Sequence, residues 1–141
     1  MSILRGSDRV AVVGRIDPDA YSASTVTSGW ISMAKWDRLL AIIMVGDLGA
    51  SATLDAKLRQ ATDNSGTGAK DISGKAITQL TQAGTDSDKQ ALINLRAEEL
   101  DVNNGFNHVQ LSMTVGTAAS DAGAIILGLD PRYPPAVDSD A

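Results

Sequence analysis

The chain has 141 residues, no cysteine and a formal net charge of −5. That length suits one domain, able to bury roughly two-thirds of its unfolded surface. The acidic balance argues against a nucleic-acid surface, which needs a basic face, and the missing cysteines exclude a disulfide framework and thiolate zinc sites. Apolar residues make up 43% but aromatics only 4%, so the core must come from Val, Ile, Leu, Ala and Met. The opening MSILRGSDRV lacks the apolar centre of a signal peptide. The longest apolar run, Leu39 to Val45, is far too short to cross a bilayer. An aqueous compartment is therefore expected, with no membrane partner.

Residues 1–26 are polar and weakly patterned except for Val10 to Val13. Asp17-Pro18 and the Ser/Thr cluster from Ser22 to Ser28 interrupt any long element. This segment reads as a lead-in strand or as an extended N-terminal arm, with Arg5, Arg9 and Arg15 as candidate anchors on a neighbour. A β-sandwich is expected over 27–135 and a flexible acidic tail over 136–141.

Gly29 to Met33 and Trp36 to Val45 look like strands. Leu39 to Val45 is a continuous apolar run rich in β-branched residues, as in a strand covered on both faces. Gly46-Asp47-Leu48-Gly49 turns the chain. Ala52, Leu54, Ala56 and Leu58 then alternate with Thr53, Asp55, Lys57 and Arg59. Leu54 and Leu58 also stand four apart, as a helix would place them, but strict alternation favours a strand.

Asp63 to Gly68, DNSGTG, is a loop by composition. A short strand is expected within 72–81, centred on Ala76-Ile77-Thr78. Residues 89–100 are good helix formers, and Ser87 with Gln90 would make a capping box. Against that, Ala91, Ile93, Leu95 and Ala97 share one parity, and Asn103-Asn104-Gly105 is a hairpin signal. A strand is preferred.

From Phe106 the pattern is clearest. Val109, Leu111, Met113 and Val115 occupy one parity, and His108, Gln110, Ser112 and Thr114 the other, giving one dry and one wet face. After a Gly/Ser/Asp turn comes a second apolar run, Ala124 to Leu127, ended by Gly128 and Asp130-Pro131. Two such strands cannot hide an apolar face alone, so the rest of the chain is expected to supply the opposite sheet. The sum is an all-β fold, a jelly-roll-like antiparallel β-sandwich of about seven or eight strands.

Signs of chemistry are few. The single histidine, His108, falls on the wet face with no partner base or nucleophile in view. No His-x-His or HExxH spacing supports a metal. GAKDISGKA departs from a phosphate-binding loop, because Gly68 lies one residue early and Ala76 replaces the hydroxyl. DNSGTG lacks the alternating acidic ligands of a calcium loop. Glu98 and Glu99, adjacent on a strand, would point to opposite faces. No catalytic residue, cofactor or metal is expected. Trp30, Trp36, Arg132 and Tyr133 are either plugs at the ends of the core or, as types enriched at interface hot spots, docking residues.

The runs GRIDPDAY, LLAIIMVGDLGASATLDAKLRQATDNSGTGAKDI, LINLRAEELDV and VQLSMTVGTAASDAGAIILGLDPRYPP cover nearly the whole chain. In them the sequence resembles the tailed-phage minor head or capsid cement (decoration) proteins, a family that includes the cement protein of a Bordetella phage. The likeness is one of general texture and has no diagnostic motif. It implies a jelly-roll fold and no enzymatic activity. It also implies attachment to the outer surface of an icosahedral capsid, on the major capsid protein, with self-association as a homodimer or homotrimer. On that reading the protein is made in the host cytoplasm and ends on the virion, without touching nucleic acid. A carbohydrate-binding or host-attachment jelly roll and a head–tail joining protein are the alternatives.

Overall fold

Alternation with period two sets the architecture. The computed structural model describes residues 5–132, and they form β1 (Val10–Tyr21), β2 (Ser24–Thr27), β3 (Ile31–Ser32), β4 (Trp36–Val45), β5 (Thr53–Ala61), β6 (Lys70–Ala76), β7 (Leu80–Thr81), β8 (Gln90–Arg96), β9 (His108–Gly116) and β10 (Ser120–Pro131). The only helical pieces among the described residues are three-residue 3-10 turns. A four-stranded sheet in the order β1-β10-β4-β8 faces a six-stranded sheet in the order β2-β9-β5-β6, with β3 on β9 and β7 on β5. All pairs are antiparallel.

The core lies between the sheets. Leu39, Ala41 and Ile43 of β4 and Ile126 of β10 are at most 1% exposed, as are Val109, Leu111 and Met113 of β9 and Leu54 and Leu58 of β5. Burying a Val, Leu or Ile side chain contributes about 1.5–3 kcal/mol, so these rows supply most of the driving force. Trp36 closes one end at 4% exposure. It lies so close over β10 that a Cβ on Gly128 would sit 2.5 Å from its ring.

Several expectations change. The two strands after Phe106 face each other across the core, β9 in one sheet and β10 in the other. The rest of the chain completes both sheets. Asn103-Asn104-Gly105 does not make a hairpin. Val102–Asn104 is a 3-10 turn closed by Gly105 at φ 81°, and it carries the chain from β8 to β9 in the opposite sheet. Only Gly105 is left-handed there, whereas a type I′ hairpin needs two such residues. The strand expected around Ala76-Ile77-Thr78 is centred earlier, because Ile72 rather than Ile77 is the buried anchor, at 5% exposure. The wet face of β9 is partly covered: Ser112 lies between Thr27 and Lys57 in the register, and the Gln110 side-chain amide donates to the Ser28 carbonyl at 3.1 Å.

Within 1–26, Val10–Tyr21 forms the edge strand β1, hydrogen-bonded to β10 from Val10↔Leu129 to Tyr21↔Ser120. Ala11, Val13 and Ile16 of β1 belong to the core. The acidic tail, 136–141, lies outside the described residues.

Candidate functional site: an open apolar sheet face

The run Leu39–Val45 predicts burial on both faces, and the structure buries only one. The four-stranded sheet is an outer layer, so the side chains of β4 that point away from the core have no third layer above them among the described residues. Met44 is 60% exposed, Leu92 56% and Ile125 38%. Ile125, Ile42 and Leu92 stand in register across β10, β4 and β8. The next rung carries Val12, Leu127 and Leu40. An antiparallel sheet with a solvated face should carry polar residues there, and a contiguous exposed apolar patch marks an interaction surface.

One flank of this face is a groove of about 890 Å³. Its shape follows from β1. The register shifts between Ile16 and Asp19, and Pro18 lies over the outer side of Gly123, its Cα 2.9 Å from where a Cβ would stand. Pro18 thus forms one wall, Ile42 and Met44 the other, and Gly123 and Ile125 the floor.

The ends of the face differ in charge. At one end Arg38 and Arg96 are direct cross-strand partners, each neutralised, by Asp130 at 3.2 Å and Glu98 at 3.2 Å. At the other end Asp19 and Asp121 line the groove. Asp47 and Asp88 lie beside them, since the Asp121 N–H donates to the Asp47 carbonyl at 2.9 Å and the Asp88 N–H to the Gly46 carbonyl at 3.0 Å. None of these four carboxylates has an ion-pair partner among the described residues. The nearby Lys89 is held by Asp86 at 2.9 Å.

The residues singled out by sequence fall in different places. Trp36 is in the core and so is withdrawn from the surface set. Arg5 is exposed and bonded to Asp8 at 3.5 Å. Arg9 is exposed at the start of β1. Arg15 lines the groove and pairs with Asp17 at 2.8 Å. Trp30 is half-buried against Gly66 in the six-stranded half. Arg132 pairs with Asp37 at 3.1 Å. Tyr133 lies outside the described residues. Only Arg15 of the described set borders the groove. The residues that build the open face, Ile42, Met44, Leu92, Ile125 and Leu127, were missed. The signal for them was the unbroken apolar run in β4, whose second face needed a partner.

Reaction chemistry has little to work with. No group of three or more His, Asp or Glu side chains arranged to hold a metal occurs among the described residues. His108 is half-buried, its Nδ1 2.6 Å from the Asn107 side-chain oxygen. In DNSGTG the Asp63 carboxylate accepts from the Thr67 hydroxyl at 2.7 Å and from the Ser65 and Thr67 N–H groups, bonds that hold its pKa below the usual carboxylate range. GAKDISGKA forms strand β6 and is not followed by a helix. A second, polar cleft between β1 and β2 holds Arg15, Asp17 and Tyr21. Burial, then the charges of Asp19 and Asp17, pushes the Tyr21 phenol up, and it donates to the Asp17 carbonyl.

No protein-family model matches this sequence, and no curated protein sequence does. Solved structures do. A chain of the Cowpea mosaic virus empty virus-like particle overlays 96% of this chain and 87% of its own length, with a TM-score of 0.52 at 12% identity. A chain of Triatoma virus overlays 95% of this chain and 69% of its own, with a TM-score of 0.52 at 11% identity. The fold is a jelly roll. The jelly roll explains the strand order, in which successive strands mostly alternate between sheets and β5–β6 is a local hairpin. The looser overlay on the SPBc2 prophage-derived protein YomS, TM-score 0.48 at 9% identity, supports no argument. At these identities the likeness fixes the fold alone, so a role has to be argued from the open face.

Proposed function

We propose that this jelly roll is a non-enzymatic capsid cement or decoration protein. It sits on the outer surface of an icosahedral phage head and clamps neighbouring major capsid subunits. The observation that carries this reading is the uncovered apolar face of the four-stranded sheet, with Met44 and Leu92 60% and 56% exposed. A chain of net charge −5 that leaves such a face open is built to be covered by another protein. The sequence texture shared with tailed-phage head proteins supports the same role, and the acidic balance suits a surface turned away from packaged DNA. Cement proteins tolerate weak individual contacts, because bridging a seam between subunits raises effective concentration. Self-association as a dimer or trimer on the shell belongs to the same proposal.

The test is quantification of this chain in purified particles, with a cryo-EM map of intact heads. The expected result is a copy number comparable with that of the capsid subunits and density outside the shell. Absence from heads, or only a dozen or so copies as a closed joining ring would require, overturns it. Specific retention on a glycan array without head binding favours a carbohydrate-binding role instead.

A further inference from the structure

The groove beside Pro18 is more specific than a general apolar patch, and its chemistry describes an occupant. Its volume, about 890 Å³, lies within the roughly 300–1,000 Å³ of sites that enclose ligand groups. Its floor is Gly123 and Ile125 and its far wall Ile42 and Met44, so it accepts apolar side chains. Its mouth carries Asp19 and Asp121, with Asp47 and Asp88 on the adjoining turns. Among the described residues Arg15 is the cation on the groove lining, and it pairs with Asp17 at 2.8 Å. An apolar slot with uncompensated carboxylates at its mouth is complementary to an apolar segment flanked by cations. It is mismatched to an acidic segment.

We propose that the groove between Pro18 and Met44 seats a chain segment of a neighbouring shell subunit that carries apolar side chains flanked by lysine or arginine, with the cations at the Asp19–Asp121 lip. The inference rests on the docking role proposed above and names the partner for that surface. The apolar side chains fill the slot and set how long the contact lasts, while the carboxylates select sign and speed capture.

Two arms test it on the full chain. In the first, methyl and amide NMR spectra are recorded with short peptides alternating leucine with lysine, leucine with glutamate, or serine with lysine. Only the leucine–lysine peptide should shift the signals of Ile42, Met44, Gly123 and Ile125, and added salt should weaken it. Equal response to the leucine–glutamate peptide, or no response, overturns the inference. In the second, Asp19→Asn with Asp121→Asn is assayed on heads lacking this protein, with melting temperature as a folding control. Both residues are exposed, and roughly fivefold weaker head binding with a flatter salt dependence is expected. Wild-type binding by this variant overturns the groove assignment while the docking role stands; failure of the unaltered protein to bind heads sinks the docking role, and the peptide arm still decides the groove. Groove signals that move with protein concentration alone would assign the slot to a second copy and overturn the proposal.

Discussion

Ile42 of β4 and Leu92 of β8 are direct cross-strand partners on the outer face of the four-stranded sheet, and no layer of the described residues covers them. A charge placed there meets water in the free subunit and, on the docking role proposed above, a partner's apolar surface in the assembly. Leu92→Lys and Met44→Lys should therefore change the stability of the isolated chain by no more than about 0.5 kcal/mol, as is usual for exposed sites. Head binding should fall at least tenfold. Thermal melts and co-sedimentation with heads measure the two quantities separately, and parallel losses in both would mean that the face is part of the folding core.

Strand β6 is tied to the connection between β8 and β9 by Lys75–Glu99 at 2.7 Å and Lys70–Asp101 at 2.5 Å. The Lys75 ammonium beside Glu99, aided by the Arg96 N–H, holds that carboxyl below its ordinary range. Lys70, then Asn104, does the same for Asp101. A carboxyl whose pKa is lower folded than unfolded stabilises the fold at pH values above its unfolded pKa. That contribution is lost as pH falls through the folded value, so it disappears below roughly pH 4. Glu99→Gln with Asp101→Asn should lower the melting temperature at neutral pH and flatten its decline between neutral pH and pH 3. A decline as steep as that of the unaltered chain would assign acid sensitivity to other carboxylates.

Gly128 has no room for a side chain, since a Cβ would lie 2.5 Å from Trp36 Cδ2 and 2.8 Å from Cε2. Trp36 cannot swing away without opening the end of the core. Gly128→Ala is expected to cost about 1–3 kcal/mol by overpacking, seen as a lower denaturant midpoint with a changed tryptophan emission. An unchanged midpoint would mean that the ring relaxes freely.

Truncation separates the two readings of the first residues. Deleting 1–9 leaves β1 intact, and the melting temperature should hardly move. Deleting 1–15 removes Ala11 and Val13, which are 2% and 6% exposed, and leaves the β10 partners of that stretch, Ile125 to Leu129, unpaired on that side. It should destabilise the chain by several kcal/mol, as loss of buried side chains does. A capsid-binding defect in the first deletion, without a stability loss, would support an arm that grips a neighbour.

Ser28 carries a buried polar knot. Its hydroxyl accepts the Leu111 N–H at 3.0 Å, and its carbonyl accepts the Gln110 amide at 3.1 Å. Ser28→Ala leaves the Leu111 donor without the serine oxygen, at a cost of about 1–3 kcal/mol. Chemical denaturation of the variant reads this directly, and a neutral result would mean that water replaces the hydroxyl.

Much of the fold was legible in the chain. Alternation at Val109–Val115 and Leu54–Leu58 determined which side chains are dry, because period two leaves a strand only two faces. The parity of Ile93 and Leu95 gave β8 despite its helix-forming composition, since burial of one strand face outweighs weak propensity. What sequence could not decide was which strands share a sheet. β9 and β10 are neighbours in the chain yet lie in opposite layers, and Gly105 begins a crossing rather than a hairpin. Pairing is a long-range choice settled by packing, invisible to local pattern. The candidate site belongs to the same category. The sequence determined that β4 is apolar on both faces. Only the tertiary structure decided that one of those faces is left uncovered by the described residues, because a two-layer sandwich can bury just the inner side of each sheet.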